Sequence, residues 1–290
     1  MLAIHELCLH VLRWPADATL QTITIAPASV ERIRERAPSL VTRSETLDFR
    51  TLTPERGGLF DYKVFGPGTV IDAPVIADDE PWKPRNTKFA RLPLARPLVH
   101  PLVLLHAPGD IAEHAGMTRD ELHRARFGDD VELRRTIVDR LEASEHGSAL
   151  VLRELAVLPP DLRPLARLAD DRWQSSSIND LYRRVIERNQ RLARLLEQSA
   201  PTAIVENETA LLHGALLALF DNELQDDPVR DPQQRPLISL RGLCGGNGGC
   251  VTALRHLDAA PPSQAPTARM HRVEAVTFAL GFELRREGRA

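Results

Sequence analysis

The sequence predicts a mixed α+β fold, predominantly α, built around a projecting antiparallel helical hairpin. Three observations carry this expectation. Residues 177–222 hold two helical apolar periodicities separated by a proline. Residues 38–110 are punctuated by prolines and glycines at a spacing that forbids long helices. Helical periodicity returns between Ala112 and Leu141. The 290 residues are 43% apolar and 27% charged, a globular mix long enough for two domains or one elongated body.

In chain order, the alternation Thr22-Ile23-Thr24-Ile25 reads as a short strand. Ser29 is a good N-cap for a helix from Val30 to about Arg36. Short strands and turns are expected through 38–110, with the acidic-then-basic stretch 72–88 as a loop. Thr118 and Glu121 form a capping box ahead of Leu122. A second box, Ser177 with Asp180, opens a helix whose seam is Ile178, Leu181, Val185, Asn189, Leu192 and Leu196. Ala200-Pro201 ends it, and Val205, Thr209, Leu212, Leu216 and Leu219 form the seam of the next. Two such helices on a short proline-containing link fold back on each other, each about 30 Å long. A hairpin of that length either projects and meets a partner or packs inside a helical bundle; the pattern alone leaves both open. Beyond Asn222 the chain turns acidic and irregular through 223–236 and glycine-rich over 243–250. An Ala/Pro/Ser-rich stretch, 259–267, precedes a last apolar element, Met270 to Leu284. The expected regions are 1–110 with short strands, 111–176 helical, the 177–222 hairpin, and 223–290.

Composition excludes several roles. The net charge of −3 argues against nucleic-acid binding through bulk positive charge. No apolar run approaches the ~20 residues of a membrane span; the longest is Ala215 to Phe220. No basic region precedes the apolar N-terminal stretch, so no signal peptide is expected. Three cysteines, Cys8, Cys244 and Cys250, make no disulfide framework and point to a reducing cytoplasm; the lack of a long apolar run leaves no membrane partner expected.

Catalytic and metal motifs are also missing. The Gly-rich run lacks the Gly-Lys-Ser/Thr ending of a P-loop and reads as a loop. Cys244, Cys250, His256 and His271 match no compact zinc spacing, and His5, Cys8 and His10 read as ordinary local residues. Asp78, Asp79 and Glu80 read as a solvated turn, and Ser148 lies outside any nucleophile elbow. Charge patterning is more informative. Arg183, Arg184, Arg188, Arg191 and Arg194 give the first hairpin helix a net +2, whereas 200–235 carries −5. These helices either pair across the hairpin or present an orienting charged face to a protein.

The runs LRELAVLPPDLRPLARL (152–168), SINDLYRRVIERNQRLARLLE (177–197), APTAIVENE (200–208), DN (221–222) and RPLISL (235–240) occur in that order. Together they closely resemble the N-terminal clamp region of the bacterial RNA polymerase β′ subunit. ITIAPASVERIRE (23–35) and SETLDFRTLTPERGGLFDYKVFGP (44–67) resemble its opening, and 91–105 and 263–280 carry looser likeness. Clear matches cover a little under half the chain. The resemblance implies an RNA polymerase β′ clamp-like fold whose hairpin is the clamp coiled coil, the dock for the sigma initiation factor. The residues matching that dock are Arg188, Asn189, Arg191, Asn207, Glu208 and Ala215, with His213 where the family usually has glutamine. It also implies a zipper at 44–67, a lid at 170–176 and a rudder at 223–236. Arg172, Arg235, Arg241 and Arg255 are the candidate nucleic-acid-facing residues.

The departures shape the expected function. No cysteine follows FGP where the family has a four-cysteine zinc ribbon, so no zinc is expected there. The rudder is acidic, which repels a phosphate backbone. The switch region, RGLCGGNGGCVTALRHLDAA (241–260), keeps only Arg241 and Arg255. The three aspartates that hold catalytic Mg²⁺ in the family have no counterpart, and two-metal phosphoryl transfer requires them. The expectation is a module without cofactor or active site that docks a sigma factor. The alternative is one piece of a split β′ subunit, partnered by the polymerase core subunits, with the catalytic residues on another chain.

Overall fold

The computed structural model describes residues 23–48, 50–51, 53–66, 88–127, 130–163, 165–167, 173–244 and 266–286. The described chain is mostly helical with small sheets. Outside the described residues lie Arg172 and Arg255, the His5/Cys8/His10 group, Asp78 to Glu80, Cys250, His256 and nearly all of the 72–88 loop.

Strand β1 (Ile23–Pro27) and helix α1 (Val30–Arg36) form where the pattern places them, and Ser29 Oγ accepts the Arg32 N–H at 3.1 Å. Short strands β2 (Ser39–Leu40), β3 (Leu47–Asp48) and β4 (Thr53–Pro54) follow, then α2 (Tyr62–Phe65), capped by Asp61. The proline-rich stretch departs from expectation at β5 (Ala90–Val99), a ten-residue strand. Pro93 and Pro97 are tolerated because the ladder shifts register between Pro93 and Leu98. Pro101 and Pro108 start α3 (Pro101–His106) and α4 (Pro108–Ala115), where a missing N–H is harmless. Helix α5 (Arg119–Phe127) opens on the Thr118–Glu121 box, with Thr118 N–H donating to Glu121 at 2.8 Å. Helix α6 (Val131–Ala143) leads through a short turn of 3₁₀ helix, which contains Ser148, into β6 (Val151–Val157). Strands β7 (Leu165–Arg167) and β8 (Trp173–Ser175) pair and deliver the chain to α7 (Ser177–Glu197) and α8 (Thr202–Asp221). Helices α9 (Leu240–Cys244) and α10 (Pro266–Ala279) precede β9 (Phe282–Arg286). The single last apolar element is thus two, divided at Gly281 with φ +85°.

The central sheet runs β2-β5-β6, with β2 parallel and β6 antiparallel to β5. A second ladder joins β1 to β9, pairing Ile23 with Arg286 and Pro27 with Phe282. Arginines of α1 tie this ladder and the C-terminal helix to the central sheet. Arg32 reaches Glu283 at 3.5 Å, Arg34 reaches the buried Glu154 at 2.8 Å, and Arg36 reaches Glu274 at 3.2 Å while lying 4.6 Å over the Phe278 ring. Behind them His100 Nε2 donates to the Leu280 carbonyl (2.8 Å) between the Phe220 and Phe282 rings.

Helices α7 and α8 lie side by side along the predicted seams. Ile178, Leu181, Val185, Leu192, Leu212, Leu216 and Leu219 are fully buried. The pair does not stand clear of the body: α7 packs on β5, and α8 packs on α3, α6 and α9. The α7 cap also differs. Ser176 is the N-cap and makes no side-chain cap bond, and Asp180 pairs with Arg183 instead. By length and composition α8 passes for a membrane span, at mean hydropathy 1.3. Its apolarity has a local cause, since Val205, Leu212, Leu216, Leu219 and Phe220 all face the core.

Candidate protein-docking face on the helical pair

One edge of the pair is built from charge. Arg184, Arg188 and Arg191 fall at i, i+4 and i+7 on α7, one stripe of the helix. Across the seam stands Glu208 of α8, only 2% exposed. Arg188 Nη1 lies 3.2 Å from its Oε1 and Arg191 Nε lies 3.2 Å from its Oε2. Two guanidinium groups therefore hold one buried carboxylate, which fixes both arginines and leaves the cluster net positive. Arg191 stays 61% exposed and Asn207 is exposed beside it.

The other expected dock residues have inward roles. Asn189 is 6% exposed. It accepts the Ala95 N–H at 2.8 Å and donates to the Pro93 carbonyl at 2.9 Å. It therefore satisfies backbone groups that the β5 register shift leaves unpaired. His213 is 7% exposed against α6, and its Nε2 has no hydrogen-bond partner. Burial, then the neighbouring Arg134 and His100 charges, hold its imidazole down at about 3, so it is neutral. Ala215 is half-buried against the core. The outward-facing members of the set are thus Arg188, Arg191 and Asn207. Sequence reasoning passed over Ile204 and Leu211, 48% and 40% exposed, which flank Glu208 at i−4 and i+3. Their signal was available: both are large apolar residues off the seam.

The described arginines expected to face nucleic acid are engaged internally. Arg241 Nη1 lies 3.0 Å from both oxygens of Asp221, a fully buried carboxylate. Arg235 Nε pairs with Asp231 at 2.8 Å. Each charge is matched by a carboxylate of the chain itself, Arg235 within its own turn and Arg241 by the end of α8, which removes the excess that would attract phosphate.

Arg163, inside the run LRELAVLPPDLRPLARL, anchors the base of the pair. It is 0% exposed. Its guanidinium donates to the carbonyls of Leu158 (2.8 Å) and Leu59 and to Asn179 Oδ1 (3.0 Å). It also lies 4.9 Å over the rings of Phe60 and Phe65. Burial pushes it down to about 9. Its fork joins the segment after β4, the end of β6 and the first turn of α7, which orients the helical pair on the body.

Comparison with known proteins follows the same residues. A family model described as RNA polymerase Rpb1, domain 1, matches residues 130–251, which include both helices. The DNA-directed RNA polymerase subunit β′ of Lacticaseibacillus casei (strain BL23) is 30% identical over 319 residues, covering 79% of this chain and 26% of that subunit. That of Stutzerimonas stutzeri (strain A1501) is 31% identical, covering 78% and 23%. That of Symbiobacterium thermophilum is 30% identical, covering 79% and 27%. The chain spans about a quarter of the length of these curated relatives. An aligned span of 319 exceeds the chain's own 290 residues, so the relatives carry segments with no counterpart here.

Proposed function

The chain is a diverged relative of the N-terminal region of the bacterial RNA polymerase β′ subunit, and from that premise we propose that it is a clamp-like transcription module that docks a sigma factor on its α7–α8 coiled-coil hairpin. The observation that carries this reading is the edge of the pair. Arg188 and Arg191 are locked by Glu208, beside exposed Asn207, Ile204 and Leu211. Fixed cations next to exposed apolar side chains suit an amphipathic, acidic partner surface. The internal pairing of Arg235 and Arg241 supports protein docking over DNA gripping.

The test is recovery of the tagged full chain from its own host at low and moderate salt, with partners identified by mass spectrometry. Sigma factor without core subunits is the expected result. Absence of any sigma factor at both salt levels overturns the proposal. Core subunits together with a chain bearing the catalytic aspartates would replace it with the split-subunit reading. Arg191→Ala combined with Asn207→Ala should weaken capture of sigma at least tenfold while the helical circular dichroism stays unchanged.

A further inference from the structure

A cavity of about 240 Å³ opens between α6, the end of β5 and α8. Pro97, Leu98, Val131, Val138 and Ala210 give it apolar walls. His213, with its unpartnered Nε2, forms part of the wall. Charges of both signs stand around this space. Arg96 and Arg135 line it as cations, Asp139 and Glu206 as anions, and none of the four makes an ion pair among the described residues. Their neighbours are engaged. Glu142 is held by Arg153 at 2.7 Å, and Arg134 Nε donates to the Ala125 carbonyl at 2.8 Å.

Two guanidinium groups and two carboxylates without ion pairs, the half-buried Arg96 and Glu206 and the exposed Arg135 and Asp139 at the rim, stand around this apolar space and define a complementary ligand. A simple anion would leave both carboxylates facing it, and a simple cation would face both guanidinium groups. A purely apolar molecule would match none of the four. The volume lies below the roughly 300–1,000 Å³ of sites that take drug-sized ligands, which favours something the size of one residue over a nucleotide. We propose that this cavity binds a small zwitterion with an apolar body, of the α-amino acid class. Its carboxylate faces Arg96 or Arg135, its ammonium faces Asp139 or Glu206, and its side chain fills the apolar-walled space. This site is separate from the docking edge and does not depend on sigma binding.

The test titrates the full chain with L-leucine and L-phenylalanine, read by amide chemical shifts and by calorimetry. Isocaproate and isoamylamine serve as the forms of leucine lacking the amine and the carboxylate. At least one amino acid should bind in the high-micromolar to millimolar range, with shifts confined to α6, α8 and the end of β5. Isocaproate and isoamylamine should each bind at least tenfold more weakly than leucine. Arg96→Ala and Glu206→Gln should each weaken binding by a similar factor, and Val138→Trp should abolish it by filling the space. If Val138→Trp does not fold, the two charge variants decide. Lack of any shift with both amino acids, or equal binding of isocaproate and leucine, overturns the proposal.

Discussion

Replacing Arg163 tests whether the base of the helical pair depends on a positive charge or on the geometry of a guanidinium fork. The fork satisfies three acceptors, the carbonyls of Leu59 and Leu158 and the Asn179 side-chain oxygen, at a site with no solvent access. Orphaning a buried acceptor costs about 1–3 kcal/mol, so loss of all three costs about 3–9 kcal/mol. Against this stands the charge itself. Its fall from 12.5 to about 9 corresponds to roughly 5 kcal/mol of disfavour for the charged form, a cost that a neutral side chain removes. Arg163→Met keeps an apolar body under the Phe60 and Phe65 rings, so the two effects largely offset and a net loss of about 1–3 kcal/mol is expected. Arg163→Lys should be worse, by about 3–5 kcal/mol. It retains a buried charge, more strongly hydrated than guanidinium, and its single ammonium cannot span the three acceptors. Arg163→Ala adds a cavity and should lose about as much as the lysine variant. Urea unfolding of the three variants, followed by circular dichroism, ranks them. A lysine variant more stable than the methionine variant would show that charge governs the site and would refute the argument.

The remaining predictions are narrower. Burial holds His100 at about 4 and His213 at about 3, both below the unfolded value near 6.5. The unfolded chain then takes up protons that the native state refuses, so stability is full above pH 6.5 and falls as pH drops toward those values. At about 1.4 kcal/mol per pH unit for each group, the loss at pH 5 is about 4 kcal/mol, and His213→Leu should remove about half of the slope between pH 7.5 and pH 5. An unchanged slope in that variant would contradict the assignment. Asn189→Ala orphans the Ala95 N–H and the Pro93 carbonyl and should cost about 2–3 kcal/mol, with hydrogen exchange accelerated selectively in β5. Gly281→Ala forces a left-handed φ onto a residue whose Cβ would lie 3.1 Å from His100 Nε2, and should lower stability by about 1–2 kcal/mol in thermal melts.

Much of the helical pair is legible in the sequence, because a heptad seam is a local pattern. Each of Ile178, Leu181, Val185, Leu192, Leu212, Leu216 and Leu219 is identified by spacing alone, and each is buried. The Ser29 cap and the Thr118–Glu121 box are equally local, since the donor and acceptor lie three residues apart. The docking face is only partly legible. Helical spacing puts Arg188 and Arg191 on one stripe, but whether Asn189 and His213 face solvent depends on β5 and α6, which arrive from about 90 and 80 residues earlier in the chain.

The sequence alone determined the elements whose causes are local: apolar periodicity, capping residues, proline breaks and the ordered motifs shared with the polymerase subunits. Only the tertiary structure decided which polar groups are matched and by what. Asp221 claims Arg241, Glu208 claims Arg188 and Arg191, and Arg163 is enclosed by two carbonyls, an asparagine and aromatic rings. The closure of β1 on β9 belongs to the same class, since its pairing spans nearly the whole chain. Burial of a charge is decided by everything that surrounds it in space, and a linear sequence does not state which distant backbone or side chain will supply its partner.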